Sequence, residues 1–487
     1  MKTVKSEKII QKPNAEEVIP SARRLMTSLR DLGYDFASAV ADLVDNSIEA
    51  NATVVHINVD FNGDESCVRI ADNGRGMTRD QLKEAMRYGT ERDYANEDLG
   101  KFGLGLKTAS LSQCQKLSVV SRPDKKKNEL SAFSWDLEHI EKENRWEIIR
   151  PSKNAIKIIT AHYLDENTGT VVYWQRLDRM LGYQHPYGEI ARKNLNKMCR
   201  ELEQHLAMVF HSFLAGEVPG RELKIFLNEN EIQPWDPFAR TEPLTKKLSA
   251  HTIRVSFEGV EGNIIVEPYI LPHQTNFSSI EAFNRASGPA NWNQQQGFYI
   301  YRADRLIQSG GWSRIRTLDE HLKLARIALR FFPALDAAFK INVAKMRVQL
   351  PTQARDEIER IVREVTGVAD AVYRNSGPKN PAPQPTKGTT PPTTPAQTPA
   401  PAHAQVPPHN PPLIVDPDPG AIVDGSDSLD GTSVSEIVDS ENQKLDDDEP
   451  ISWSLDDLEN QLLLIAEPDE KDVLQKVFDR FRKNFNA

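Results

Sequence analysis

Asp42 and Asn46 stand four residues apart in AVADLVDNSIEA, a spacing that puts a carboxylate and a carboxamide on one face of a helix. A carboxamide oxygen suits Mg2+, which keeps several waters and binds phosphate oxygens beside its protein ligands. The carboxylate one turn away is placed to orient a water for attack, and Val40, Leu43, Val44 and Ile48 can pack behind the pair. Alone, the pair also reads as a solvated helix face. The second stretch, Asp72-Asn73-Gly74-Arg75-Gly76-Met77, follows the strand-like CVRIA. A carboxylate at a strand end can accept a hydrogen bond from an exocyclic amine, and glycines let backbone approach a flat base. Asn-Gly alone also signals a hairpin turn. The third stretch is Gly100-Lys101-Phe102-Gly103-Leu104-Gly105-Leu106-Lys107-Thr108. Its three glycines ahead of a helix expose N–H groups to an anion, and the helix N-terminus adds positive potential. It is no Walker A loop, because Leu106 separates Gly105 from Lys107 and no strand leads into it.

The elements around these stretches follow from periodicity and turn residues. Helices are expected at Ser21–Arg30, Phe36–Glu49, from Leu106 and over 188–214. Strands are expected at Thr53–Asp60, Cys67–Ala71, 116–121 and 168–174. A second block has strand patterns at Leu223–Leu227, Thr252–Phe257, Asn263–Ile270 and Gly297–Tyr301, then helical ones near Leu318–Phe331 and Thr352–Tyr373. Strands and helices mix without strict alternation, so the class is α+β.

The order of the three stretches is more specific than any one of them. An Asp/Asn helix, a strand ending in DxGxG and a glycine-rich lid entering a helix resemble the Bergerat nucleotide site of the GHKL ATPase superfamily. That superfamily includes gyrase B, histidine kinases, chaperones of the ninety-kilodalton class and MutL. The resemblance implies ATP and Mg2+ as cofactors: Asn46 on the metal, Asp72 on adenine, and Gly74, Gly76 and Met77 shaping the base pocket. Gly100, Lys101, Phe102, Gly103, Leu104, Gly105, Lys107 and Thr108 would wrap the phosphates. Gly169-Thr170-Val171-Val172 is similar to the superfamily's late strand and puts Thr170 beside Asp72. Asp42 would be the general base, where MutL and most relatives have Glu. Asp is one methylene shorter, and a misplacement of about 1 Å can cost on the order of a hundredfold in rate, so slow hydrolysis is expected. Asp45 and Glu49 are nearby substitutes.

The resemblance runs on. Gly297-Phe298-Tyr299-Ile300-Tyr301-Arg302 is similar to the start of the ribosomal S5-like transducer domain of MutL-like proteins. Ile341-Asn342-Val343-Ala344-Lys345-Met346-Arg347-Val348 resembles the loop that sends a lysine, here Lys345, to the γ-phosphate. The implied architecture is a Bergerat-type α/β sandwich over 15–215 and a transducer-like α+β domain over 220–373. The wording ADLVDNSIEANAT, YGTER and KFGLGLKTAS is closest to bacterial MutL/MORC-like ATPases of restriction-modification and antiviral defence clusters. It implies an ATP-driven homodimer, helicase-like or nuclease partners, and double-stranded DNA. Two readings stand beside this one: a chaperone-like ATPase acting on protein clients, and an ATP-binding scaffold without significant hydrolysis.

Composition bounds the rest. The net charge of −10 is unevenly spread: from Arg374 onward there are 9 basic and 20 acidic residues, leaving 51 and 50 in residues 1–373. Neither part has the strongly basic balance of a dedicated nucleic-acid binder. Residues 377–419 hold 15 of the 31 prolines. With the acidic run that follows, they read as a linker over 377–450 that cannot bury a core. At about 3.1 Å per residue its Pro-rich part could reach on the order of 100 Å. Residues 453–487 regain helical pattern, with Leu458, Leu462, Val477, Phe478 and Phe481 as expected docking anchors. The scattered cysteines Cys67, Cys114 and Cys199 argue against a zinc site or a disulfide framework. With no signal-peptide core and no run of roughly 18 apolar residues, the expected setting is cytoplasmic, with no membrane partner.

Overall fold

The computed structural model describes residues 19–31, 34–89, 105–123, 130–161, 163–164, 168–182, 185–341 and 348–375. The linker at 377–450, the segment at 453–487, residues Gly100 to Leu104 and Lys345 lie outside them.

Helix α1 (Ala22–Arg30) starts at Ser21, and α2 (Phe36–Glu49) at Asp35, whose carboxylate accepts the Ser38 N–H at 2.8 Å. Then come β1 (Val54–Asp60), β2 (Cys67–Asp72), α3 (Arg79–Ala85), α4 (Gly105–Leu111), β3 (Lys116–Arg122) and β4 (Ser131–Asp136). They are followed by α5 (Leu137–Glu143), α6 (Lys153–Thr160), β5 (Gly169–Gln175), α7 (Glu189–Val209), α8 (His211–Leu214), β6 (Lys224–Leu227) and β7 (Asn230–Glu231). The helix expected over 188–214 thus breaks at Phe210, where α7 gives way to α8.

Among the described residues these strands form a seven-stranded sheet in the order β4-β3-β5-β2-β1-β6-β7. The sheet centre therefore ends in Asp72, the last residue of β2. Helix α2 packs between α4 and α7, and Val40, Val44, Leu195, Leu206 and Trp174 belong to the core beneath. On the other face, Ile159 of α6 joins Val120, Val171 and Tyr173 in a smaller core. Being packed on several sides, α2 is buried from Ser38 to Ile48 at every residue but Asn46.

The second sheet is built from β8 (Lys246–Lys247), β9 (His251–Phe257), β10 (Val260–Ile270), β11 (Gly297–Arg302), β12 (Arg305–Ser309) and β13 (Ala325–Phe331). Its order is β12-β11-β13-β10-β8, with β9 also on β10. Helix α9 (Ile280–Ser287) lies between β10 and β11 in the chain, and α10 (Thr352–Asn375) follows β13. Helix α10 buries Ala354, Ile358, Ile361, Val365 and Ala369, one stripe at helical spacing.

Two expectations are corrected. The stretch Leu318–Phe331 is no helix: after a short turn of helix at Glu320–Leu322 it becomes β13. That strand runs parallel to β11 and antiparallel to β10, and all of it but Arg330 is buried. A short apolar run buried on both faces loses the two-residue alternation that marks a strand. The strand at Leu223–Leu227 joins the first sheet, not the second block: β6 pairs in parallel with β1, Val54 opposite Lys224. A strand pattern names no neighbour, and this one lies 170 residues from its partner.

Both sheets belong to one compact unit. His211 and the Tyr301 hydroxyl share a hydrogen bond of 2.8 Å across the junction. Ala303, at the β11–β12 turn, packs against the first core.

Candidate functional site

The Asp72 carboxylate is held from several sides before any ligand arrives. The Gly74 N–H donates to Oδ1 at 2.8 Å, and the Ser47 hydroxyl lies 3.3 Å from Oδ2. Burial pushes its pKa up to about 6, and the hydrogen bonds from Gly74, Ser47 and the Thr170 backbone work against that rise. The Ser47 contact ties the end of β2 to α2, beside the exposed Asn46. The sheet register puts Thr170 directly opposite Asp72, and the Thr170 hydroxyl lies 2.9 Å from that of Ser121. Ser121 in turn accepts the Met77 N–H at 2.8 Å, which folds the loop after β2 back over β3.

The loop leaves no room for a side chain at either glycine. Gly76 has φ +63, and a Cβ there would sit 1.8 Å from the Arg122 carbonyl oxygen. A Cβ on Gly74 would meet that of Ala50 at 2.7 Å. Asn73 fixes the loop from below, its Oδ1 accepting the N–H groups of Thr53 and Val54 at 2.9 and 3.0 Å.

One turn before Asn46, Asp42 is buried, and its Oδ2 accepts the Tyr34 hydroxyl at 2.9 Å. That hydroxyl also bonds Thr108 of α4. The first residue of α4 is close too, since a Cβ on Gly105 would lie 3.5 Å from Asp42 Oδ2. The helix entered by the glycine-rich stretch therefore starts against the Asp42 carboxylate. Asp42, Asn46, Asp72, Gly74, Gly76, Met77, Gly105, Thr108 and Thr170 are brought together around one end of α2.

Residues 34–170 match the family described as histidine kinase-, DNA gyrase B-, and HSP90-like ATPase. The match begins at Tyr34 and closes at Thr170, both part of the arrangement above. The chain is also similar to the DNA mismatch repair protein MutL of Pasteurella multocida, 38% identical over 92 residues, which is 18% of this chain and 15% of that protein. MutL of Vibrio parahaemolyticus is 33% identical over 103 residues, 20% of this chain and 15% of the relative. MutL of Colwellia psychrerythraea is 36% identical over 92 residues, 18% and 14% of the two chains. The chain carries a GHKL ATPase domain of MutL-like sequence. The matched stretch spans about a seventh of the length of these relatives.

Within the GHKL domain the structure turns Lys107, expected at the nucleotide, toward backbone carbonyls. Lys107 is buried, and its ammonium donates to the carbonyls of Ala85 and Arg87 at 2.9 and 2.7 Å, at the end of α3. It lies 5.6 Å from the centre of the Tyr88 ring, and burial brings its pKa down to about 8. Its charge goes to the carbonyls that end a helix, which a motif read as a phosphate loop does not anticipate. Among the described residues no group of three or more His, Cys, Asp and Glu could hold a metal.

Three neighbours of the GHKL site escaped the sequence reading. Ser47 adjoins the motif but lies off the Asp42–Asn46 face, and Tyr34 precedes α2, ahead of its Asp35 cap. Arg305 comes from β12, and its guanidinium lies 2.8 Å from the Asp45 carboxylate and 3.9 Å from Asp42 Oδ1. A separation of 260 residues leaves no local signal for that contact.

Proposed function

We propose that this protein binds ATP with Mg2+ at the end of α2, hydrolyses it slowly, and uses the nucleotide to drive a homodimeric clamp on DNA. The observation that carries the reading is that Asn46 is the one exposed residue from Ser38 to Ile48, next to the Ser47–Asp72 contact. Asp72 accepts the exocyclic amine of adenine, and the backbone at Gly74 and Gly76 lies against the base. Asn46 would hold the metal, which would neutralise charge on the phosphates. Asp42 orients the attacking water and takes its proton as the water oxygen bonds to the γ-phosphorus and the bond from that phosphorus to the β–γ bridging oxygen breaks, releasing ADP and phosphate. By the family resemblance, the glycine-rich stretch ahead of α4 would cover the phosphates and Lys345 would contact the γ-phosphate. Clamp formation and DNA come from the similarity to MutL, whose name places it in DNA mismatch repair. Residues 453–487 would dock helicase-like or nuclease partners in bacterial antiviral defence, as the MORC-like wording suggests.

To move such a switch from 1:99 to 99:1, ATP must favour the closed state by about 5.5 kcal/mol. The test is ATP turnover with and without duplex DNA, alongside light scattering with a non-hydrolysable analogue. Turnover lost in Asp42→Ala and Asn46→Ala, with dimers formed on the analogue, supports the reading. A chain that stays monomeric with the analogue bound contradicts the clamp. A second reading, an ATP-binding scaffold with little hydrolysis, is favoured by one observation: the shorter Asp42 is already engaged by the Tyr34 hydroxyl. It predicts tight binding, and turnover that Asp42→Ala leaves unchanged.

A further inference from the structure

Arg305 belongs to the second sheet but ends in the first domain. It opens β12 immediately after the tight turn at Ala303 and Asp304, whose φ angles are 46 and 66. A two-residue turn with both φ positive matches strand twist, and it aims the residue that follows. Ala303 packs on the first core, so the tip of this hairpin rests against the neighbouring domain.

The Arg305 guanidinium is buried between α2 and α7. It bonds Asp45 at 2.8 Å, lies 3.9 Å from Asp42 Oδ1 and sits 5.8 Å from the centre of the Phe210 ring. Asp42 and Asp45 are three residues apart, which puts both carboxylates on one helix face within reach of one planar cation. His205 of α7 stands near the same group, and burial brings its pKa down to about 4, so it adds no positive charge at neutral pH. Asp42 is thus held on one side by a hydroxyl of its own domain and faced on the other by a cation from the second domain.

We propose that Arg305 is a positioning residue for hydrolysis: the second domain inserts it to fix the Asp42 carboxylate, so that turnover requires the two domains to be docked. This rests on the reading of Asp42 as the general base. Arg305 exchanges no atom with the substrate. Asp45 anchors the guanidinium, and Arg305 and Tyr34 together set the direction of the Asp42 carboxylate. An Asp one methylene shorter than the usual Glu has more need of such support.

The test measures kcat, KM and the affinity for a fluorescent ATP analogue in the full chain and three variants. Arg305→Met should lower kcat by about tenfold to a hundredfold while nucleotide affinity changes by less than about twofold. Arg305→Lys, which keeps the charge, should recover part of the loss. Because Arg305→Met leaves Asp45 buried without this partner and can unfold the chain, the paired variant Arg305→Met/Asp45→Asn removes both charges. It should fold, bind the analogue and stay as slow as Arg305→Met alone, since the cation that positions Asp42 is missing from both. A folded, analogue-binding double variant with wild-type kcat overturns the proposal, and so does a fall confined to affinity. A wild-type chain that binds ATP without hydrolysing it overturns the positioning role but leaves the nucleotide site standing. A wild-type chain that binds no ATP overturns the reading beneath it as well.

Discussion

Replacing Asp72 with Asn should stabilise the nucleotide-free protein while weakening its grip on adenine. Burial pushes the Asp72 pKa from the ordinary 3.8 up to about 6. Its charge at neutral pH is therefore a cost to the fold. At about 1.36 kcal/mol per pH step, that rise amounts to about 3 kcal/mol, and solvent screening at its exposed edge makes this an upper bound. Asn keeps an oxygen for the Gly74 N–H, which now bonds Oδ1 at 2.8 Å. The sign follows from the raised pKa: Asp72 leaves the protein most stable below about 3.8, and stability falls as pH climbs through about 6. Denaturant unfolding of both proteins at pH 7.5 and pH 4 should show Asp72→Asn more stable at the higher pH and the gap closing at the lower. Binding should move the other way. Losing a charged acceptor for the exocyclic amine should weaken ATP affinity about tenfold to a hundredfold. Wild-type affinity for adenosine should also fall as pH drops below about 6, a slope absent from Asp72→Asn. An Asp72→Asn protein that is less stable at pH 7.5 and binds ATP normally would refute the reasoning.

Other variants separate support from chemistry. Gly76→Ala forces a side chain onto φ +63 and into the Arg122 carbonyl, and should cost more than about 2 kcal/mol in denaturant unfolding. Lys107→Met should cost about 1–3 kcal/mol by leaving the Ala85 and Arg87 carbonyls without their buried donor. ATP affinity should stay unchanged in that variant, and a drop in affinity with the fold intact would return Lys107 to the phosphate site. Tyr34→Phe should lower kcat without changing KM. Burial and the neighbouring Asp42 push the Tyr34 pKa far above its ordinary range, so the wild-type rate should show no alkaline limb from this hydroxyl up to about pH 10.

Sequence disclosed most where chemistry and local structure coincide. The α2 boundaries and the strand that runs into Asp72 follow from short-range periodicity and turn residues, whereas Thr170 opposite Asp72 is implied by the family resemblance alone. What escaped depends on distance along the chain. Arg305 reaches Asp45 across 260 residues, and β6 pairs with β1. Neither leaves a pattern within a window of a dozen residues. β13 was misread because burial on both faces erases alternation. A lysine after a glycine-rich stretch suggests a phosphate, and nothing local announces the contacts Lys107 makes. Its side chain turns inward to the carbonyls of Ala85 and Arg87, 22 and 20 residues earlier in the chain.

The measurement closest to the central claim is equilibrium titration of the full chain with a fluorescent ATP analogue in Mg2+, repeated in Asn46→Ala and Asp72→Asn. Saturable binding that unlabelled ATP displaces and that both substitutions weaken about tenfold or more is the predicted result. Absence of saturable binding in the wild-type chain, or binding indifferent to both substitutions, would contradict a nucleotide site between Asn46 and Asp72.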